Sequence, residues 1–261
     1  MHRAEVGYVY PAQDVTITAD EQRRLHGWCD IAPEVFGDSA DPTFVGRPPI
    51  LLNTATIRAS RPGWGPVHLL QRVHQARPIA LGETLTLHGR VTALEPHPRG
   101  TLLCSRWEYR DAGGATPFVV EPEVLMLDPA AVPVRRPRPA DSAESGDWEP
   151  LARHQCTPET TLGYCAGSSN LIHLDPDYAR GFGLRAPIIA GMQTVNFLVA
   201  PLYREAAPAA FDLRIAFERP VFWDDALAIS GRRDGAGRLV AVRAQNAEGK
   251  TVASLELSLD G

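Results

Sequence analysis

The sequence predicts an α+β fold assembled from two similar halves, and three observations carry that prediction. The first is a repeat. Arg77-Pro78-Ile79-Ala80-Leu81-Gly82-Glu83-Thr84-Leu85 resembles Arg219-Pro220-Val221-Phe222-Trp223-Asp224-Asp225-Ala226-Leu227, at an offset of 219 − 77 = 142. Arg72 matches Arg214, and Gly89-Arg90 matches Gly231-Arg232, at the same offset. Upstream, Pro48-Pro49-Ile50 resembles Ala186-Pro187-Ile188 at 188 − 50 = 138, so a loop insertion of four residues reconciles the two registers. The second observation is strict alternation. Ala253, Leu255, Leu257 and Leu259 interleave with Ser254, Glu256, Ser258 and Asp260, the mark of a half-buried strand. The third is a helical period. Ile188, Met192, Val195, Val199 and Leu202 lie on one face of a helix over Ile188 to Ala206, with Gln193 and Asn196 interleaved and Pro201 near its end.

The elements follow in order from local signals. Gly63-Trp64-Gly65 is a loop, and His68 and His74 begin the first-half sheet as structural or solvent-exposed residues. Arg110-Asp111-Ala112-Gly113-Gly114 is a hairpin turn, and Asn246-Ala247-Glu248-Gly249-Lys250 is its counterpart in the second half. Asp128 to Pro150, rich in Pro, Arg and Ser without hydrophobic period, reads as a linker. The organisation is thus residues 1–128, a linker at 129–150, and residues 151–261. Asp175-Pro176-Asp177 suits a turn or the first turn of a helix carrying Tyr178 and Ala179. A helical segment followed by antiparallel strands, used twice, is satisfied by a long helix wrapped in a curved sheet.

Composition excludes several functions. With 261 residues and 44% hydrophobic content the chain can bury a sizeable core. A net charge of −5 argues against nucleic acid as a partner. Lys250 is the only lysine, which reads as the codon bias of a GC-rich bacterial genome. Cys29, Cys104, Cys156 and Cys165 form no CxxC pair, so neither a zinc site nor a redox dithiol is expected. The start of the chain lacks an apolar signal segment, and no run is long enough to cross a membrane, so a cytoplasmic protein is expected.

The segment Tyr164 to Met192 carries the chemistry. His173 follows Asn170-Leu171-Ile172 and precedes an acidic turn, a position that suits a general acid or base. The run Gly167-Ser168-Ser169-Asn170-Leu171-Ile172-His173, then Asp175, Tyr178-Ala179, Pro187-Ile188 and Gly191-Met192, resembles the hydratase motif of the MaoC-like family. These are (R)-specific enoyl-thioester hydratases and dehydratases of the hot-dog fold. The family pattern runs Gly-Asp-x-Asn-Pro-(Ile/Leu/Val)-His, followed later by His-Gly-Met. The two repeated halves resemble the double hot-dog form, in which the second half keeps the motif.

The resemblance implies a site. His173 matches the catalytic His, Asn170 the Asn that orients the site, and Gly191 the backbone donor for the thioester oxygen. Tyr164, Gly167, Ile188 and Met192 are then expected around the substrate. Three positions depart from the pattern: Ser168 replaces the catalytic Asp, Leu171 the Pro, and Ala190 the His of His-Gly-Met. A hydroxyl can hold a water but is no base near neutral pH. At the offset of 138, Asp30 falls opposite Ser168 and Val35 opposite His173, which makes Asp30 a doubtful second member of the site.

The implied substrate is a 2-enoyl or 3-hydroxyacyl thioester of coenzyme A or an acyl carrier protein. Neither a cofactor nor a metal is implied, and a homodimer of double hot-dogs is. A specialised conjugate addition suits the missing Asp. A non-catalytic acyl-binding or partner subunit is the alternative. A hot-dog thioesterase is disfavoured because the first acidic residue after Ile188 is Glu205. Arg135, Arg136 and Arg138 are either a solvated linker or a contact for a carrier phosphate.

Overall fold

The computed structural model describes residues 2–131 and 147–259. Arg135, Arg136 and Arg138 lie outside these residues. Ten strands form one antiparallel sheet. The first half supplies β1 (Gln13–Thr16), β2 (Gly65–Gln75), β3 (Thr84–His97), β4 (Gly100–Arg110) and β5 (Phe118–Leu127). The second supplies β6 (Glu149–Gln155), β7 (Phe211–Phe217), β8 (Ala226–Arg233), β9 (Leu239–Gln245) and β10 (Thr251–Ser258).

The order β1-β3-β4-β5-β2-β7-β10-β9-β8-β6 reads the same from either end once each strand is exchanged for its repeat partner. A two-fold that exchanges residue i with i + 142 passes where a residue faces its own counterpart. In the β2–β7 pairing Arg72 faces Arg214, and 214 − 72 = 142. Glu123 and Glu256 stand beside these two like charges. The matched glycines have a steric reason in both halves. A Cβ on Gly89 would meet the Trp107 ring at 2.1 Å, and one on Gly231 would meet Leu239 at 2.5 Å.

The helices are α1 (Ala19–Gly27), α2 (Pro42–Val45), α3 (Arg47–Ser60), α4 (Pro158–Tyr164), α5 (Pro176–Gly181) and α6 (Gly191–Glu205). α6 packs on β9 and β10 with Met192 through Tyr203 buried. It starts three residues later than the apolar period predicts. Ile188 is extended and forms a β-bridge with Phe222, while the Ile189 N–H donates to the Val221 carbonyl. A half-buried bridge residue on the cavity wall satisfies a helical period as well as a helical residue does, so the period could not place the boundary.

The same bridge corrects the upstream register. Ser39 bridges Ala80 as Ile188 bridges Phe222, and Ala40 donates to Ile79 as Ile189 donates to Val221. The offset there is 188 − 39 = 149, so the match of Pro48-Pro49-Ile50 with Ala186-Pro187-Ile188 is a coincidence of composition. The 3₁₀ turns Pro33–Val35 and Leu171–His173 do stand 138 apart. The difference of eleven residues is the segment holding α5, which has no counterpart in the first half. β6 begins at Glu149, which pairs with Gly231, so the last residues of the Pro-rich stretch belong to the sheet. Among the described residues no helix is long and apolar enough to cross a membrane.

Candidate active site

A cavity of about 500 Å³ lies between the halves. Tyr164, Gly167, Ser168, Asn170, His173, Ile188, Gly191 and Met192 all line it. The first half closes it from α3, β2, β5 and Arg99 in the β3–β4 turn.

His173 is held by its neighbours in one tautomer. Its Nδ1 lies 2.9 Å from the Ile188 carbonyl oxygen, which can only accept, so Nδ1 carries the proton. The Ile188 N–H returns the contact by donating to the Ile172 carbonyl at 3.2 Å. Nε2 of the neutral ring is then an acceptor, and the Asn170 Nδ2 amide donates to it at 3.0 Å. Arg58 on α3 sets the orientation of that amide. Its guanidinium donates to Asn170 Oδ1 at 3.2 Å and to Ser169 Oγ at 2.6 Å. The chain Arg58, Asn170, His173, Ile188 therefore crosses from one half to the other and fixes which nitrogen can take a proton. Burial pushes the His173 pKa down to about 4; the Ile188 carbonyl works against this and the Arg58 charge adds to it. His173 is neutral at pH 7, as a general base must be.

Local rules place this turn. The Asp175 carboxylate accepts from the Asp177 and Tyr178 N–H groups and so caps α5, with Pro176 in its first turn. Ser168 Oγ accepts from the Asn170 N–H at 3.1 Å. Its oxygen thus closes the turn that presents Asn170. Leu171 is exposed at the start of the 3₁₀ turn. Glu218 is the one acidic side chain among the described residues lining the cavity, and it lies at Arg219 and Ser254.

Gly191 opens α6. The residue before it, Ala190, has no side chain able to cap, and no side-chain cap bond is made. The first N–H groups of a helix lack intrahelical acceptors and carry its positive dipole end. The Gln193 and Thr194 N–H groups donate to the Ala190 carbonyl, which leaves those of Gly191 and Met192 for an oxygen in the cavity. Tyr164 has a different place from a simple cavity wall. Its hydroxyl donates to Asn196 Oδ1 at 2.9 Å, and Asn196 Nδ2 donates to Asp41 Oδ2 at 2.7 Å, which also accepts from His26 Nε2 at 2.9 Å. All four are buried. Tyr164 thereby ties the cavity to a polar network shared by both halves.

Asp30 does not reach the cavity. It is exposed, in a left-handed conformation (φ 53°), and its charge acts on His154. His74 pairs with Asp212 across β2 and β7, and Trp64 packs under the Arg61 guanidinium. Glu205, the first carboxylate on α6, is committed to Arg233 at the helix end.

Of the two expectations for His68, solvent exposure does not hold: its ring nitrogens are covered and the residue lines the cavity from β2. A β-bulge between His68 and Leu70 breaks the alternation of β2. Gln71 and Val73 face inward, and without the bulge His68 would face outward. The extra residue turns its ring into the cavity wall opposite Val124. No sequence signal marks that bulge. Arg58 was equally invisible, because its partners lie 111 and 112 residues away.

No family model matches the sequence, and no curated protein does. Solved structures do. HtdX of Mycobacterium tuberculosis superposes with a TM-score of 0.75 at 18% identity, covering 97% of this chain and 99% of that one. A MaoC-like dehydratase gives a TM-score of 0.77 at 17% identity, with 98% of each chain covered. A further M. tuberculosis protein, described as having a double hot-dog fold, gives 0.62 at 16% identity over 98% of this chain and 96% of that one. The palindromic ten-stranded sheet, its pseudo-two-fold axis at Arg72 and Arg214, and these superpositions together make this chain a double hot-dog protein.

Proposed function

We propose that the chain is a hydratase or dehydratase of the MaoC-like kind, acting on a 2-enoyl or 3-hydroxyacyl thioester of coenzyme A or an acyl carrier protein. One observation carries this reading. A neutral histidine, locked with Nε2 as acceptor, shares a cavity with an uncapped helix N-terminus. In the addition direction His173 Nε2 takes a proton from the attacking oxygen as its bond to the β-carbon forms. The attacking oxygen displaces the Asn170 amide from Nε2. The electron pair moves to the thioester oxygen, where the first N–H groups of α6 receive the charge. The proton then returns to the α-carbon.

The missing carboxylate shapes the reaction. Ser168 Oγ is engaged with the Asn170 backbone, so activation of the nucleophile falls to His173. A nucleophile carried by the substrate itself, such as a hydroxyl that closes a ring, needs less help than bulk water. The same observation favours a second reading, a non-catalytic acyl-thioester-binding subunit.

Loss of enoyl-thioester absorbance separates them, measured with the purified protein, His173→Ala and Ser168→Asp. The hydratase reading expects turnover by the natural chain, loss in His173→Ala, and faster water addition in Ser168→Asp. If neither the natural chain nor Ser168→Asp acts on a broad panel of enoyl thioesters that bind, the non-catalytic reading stands instead.

A further inference from the structure

Two groups with hydrogen-bonding capacity to spare meet at the start of α6. One is the uncapped helix end at Gly191. The other is His68, from the opposite half. A Cβ built on Gly191 would lie 3.4 Å from His68 Nδ1 and 3.3 Å from the Phe217 ring. The His68 ring packs on Phe217 with centroids 4.5 Å apart. Both ring nitrogens are covered, and neither reaches a partner at hydrogen-bonding distance and angle. Buried polar atoms are nearly always satisfied, and those that are not call for a reason. The chain accepts this cost through the bulge that turns His68 inward.

We propose that His68 is the second donor of the oxyanion site: with an acyl thioester bound, its neutral imidazole N–H joins the Gly191 backbone N–H at the thioester carbonyl oxygen. This rests on the thioester reading above. The ring borders the cavity, so a turn about its side-chain torsions brings a nitrogen to the oxygen. Burial holds the His68 pKa down at about 3, a loose hydrogen-bonding contact with the Leu70 backbone working against it, so the group donates a hydrogen bond without carrying a charge. An uncharged imidazole beside a helix N-terminus polarises a carbonyl in the same way in triosephosphate isomerase, an established case. No atom is transferred by His68; the enolate that forms on carbon–oxygen bond formation takes a stronger hydrogen bond than the ground-state carbonyl.

The test uses a saturated acyl-CoA carrying ¹³C at the thioester carbonyl, which binds without reacting. Its carbonyl stretching band is recorded free and bound to the natural chain, His68→Phe, His68→Gln and His173→Ala. The expected result is a shift to lower frequency with the natural chain and His173→Ala. Most of it is lost in His68→Phe, and part is kept in His68→Gln, which retains an N–H donor. Turnover of enoyl substrate by His68→Phe falls in kcat by roughly 10²-fold with KM little changed. A full shift in His68→Phe overturns the proposal while leaving the thioester reading intact. Should His68→Phe fail to fold, a full shift in a folded His68→Asn, too short to reach, overturns it equally. Failure of the natural chain to bind any acyl-CoA or acyl-carrier thioester overturns both.

Discussion

Both halves begin a helix at the same place in the fold, and the chemistry at those two starts is opposite. The offset of 149 sets Asp41 opposite Ala190 and Pro42 opposite Gly191. In the first half the Asp41 carboxylate accepts from the Thr43 N–H, so the helix is capped from within. Pro42, in its first turn, has no N–H at all. In the second half alanine leaves the end uncapped and glycine supplies an N–H with no side chain in the way. The 3₁₀ turns differ in parallel. Val35 packs against the core where His173 holds its two hydrogen bonds. The first-half region is filled by the His26, Asp41, Asn196 and Tyr164 network and by the rings of Phe36, Phe44 and Tyr203. One copy of the repeat has become packing. The other keeps its donors unsatisfied and its cavity open, and it recruits Arg58 and His68 from the first copy.

Substitutions that convert the second half into the first test this contrast. The largest effect is expected from His173→Val, which copies Val35. Enoyl-thioester turnover should fall by about 10³- to 10⁴-fold, the usual range for a lost acid–base group, with acyl-CoA binding retained by calorimetry. Gly191→Pro, which copies Pro42, removes one donor at a position where helices accept proline, and kcat should fall by roughly 10²- to 10³-fold. Gly191→Ala is its control. It adds a comparable Cβ against Phe217 and His68 but keeps the N–H, so it should retain most of the activity lost by the proline variant. Equal loss in both would assign the effect to crowding.

Arg58→Met tests the reach of the first half into the second. The Asn170 amide loses its anchor, and turnover should drop by about 10- to 100-fold, in the range for groups that orient a catalytic residue. The Arg58 charge helps hold the His173 pKa down at about 4. Its removal should move the acid limb of the kcat/KM profile to higher pH, a displacement that a merely local packing defect would not produce.

The smallest expected effect is on stability. His68, His154 and His173 have pKa values pushed down by burial to about 3, about 4 and about 4, from an ordinary 6.5. As pH falls through 6.5 the unfolded chain binds protons at these three sites while the folded chain does not. Stability is therefore present in full above that pH and declines below it, down toward the folded values. The thermal midpoint should fall steadily between pH 7 and about 4.5, and His154→Gln should flatten the decline. A flat profile in the natural chain would contradict the burial of these rings.

Much of this molecule is legible without its structure, for a physical reason. The hairpin turns at 110–114 and 246–250, the Asp175-Pro176 helix start and the His173–Asn170 spacing all follow rules of local sterics and hydrogen bonding. These act over a few residues and leave their mark in the sequence. The offset of 142 is legible because the connection from β2 to β3 has the same length as that from β7 to β8, and each is pinned by one β-bridge, Ser39 to Ala80 and Ile188 to Phe222. The offset of 149 is not, because the eleven-residue segment holding α5 hides it. The misplaced match at Pro48-Pro49-Ile50 concealed the Pro42–Gly191 contrast for that reason.

The sequence by itself determined the repeat, the helix-and-strand plan and the residues near His173, since each depends on neighbours along the chain. Only the tertiary structure decided that Asp30 stays outside, and that Arg58 and His68 arrive from the other half. Those outcomes depend on strand register, one bulge and the pairing of β2 with β7. Register and bulge are settled by the packing of a whole face at once, which no short stretch of residues encodes.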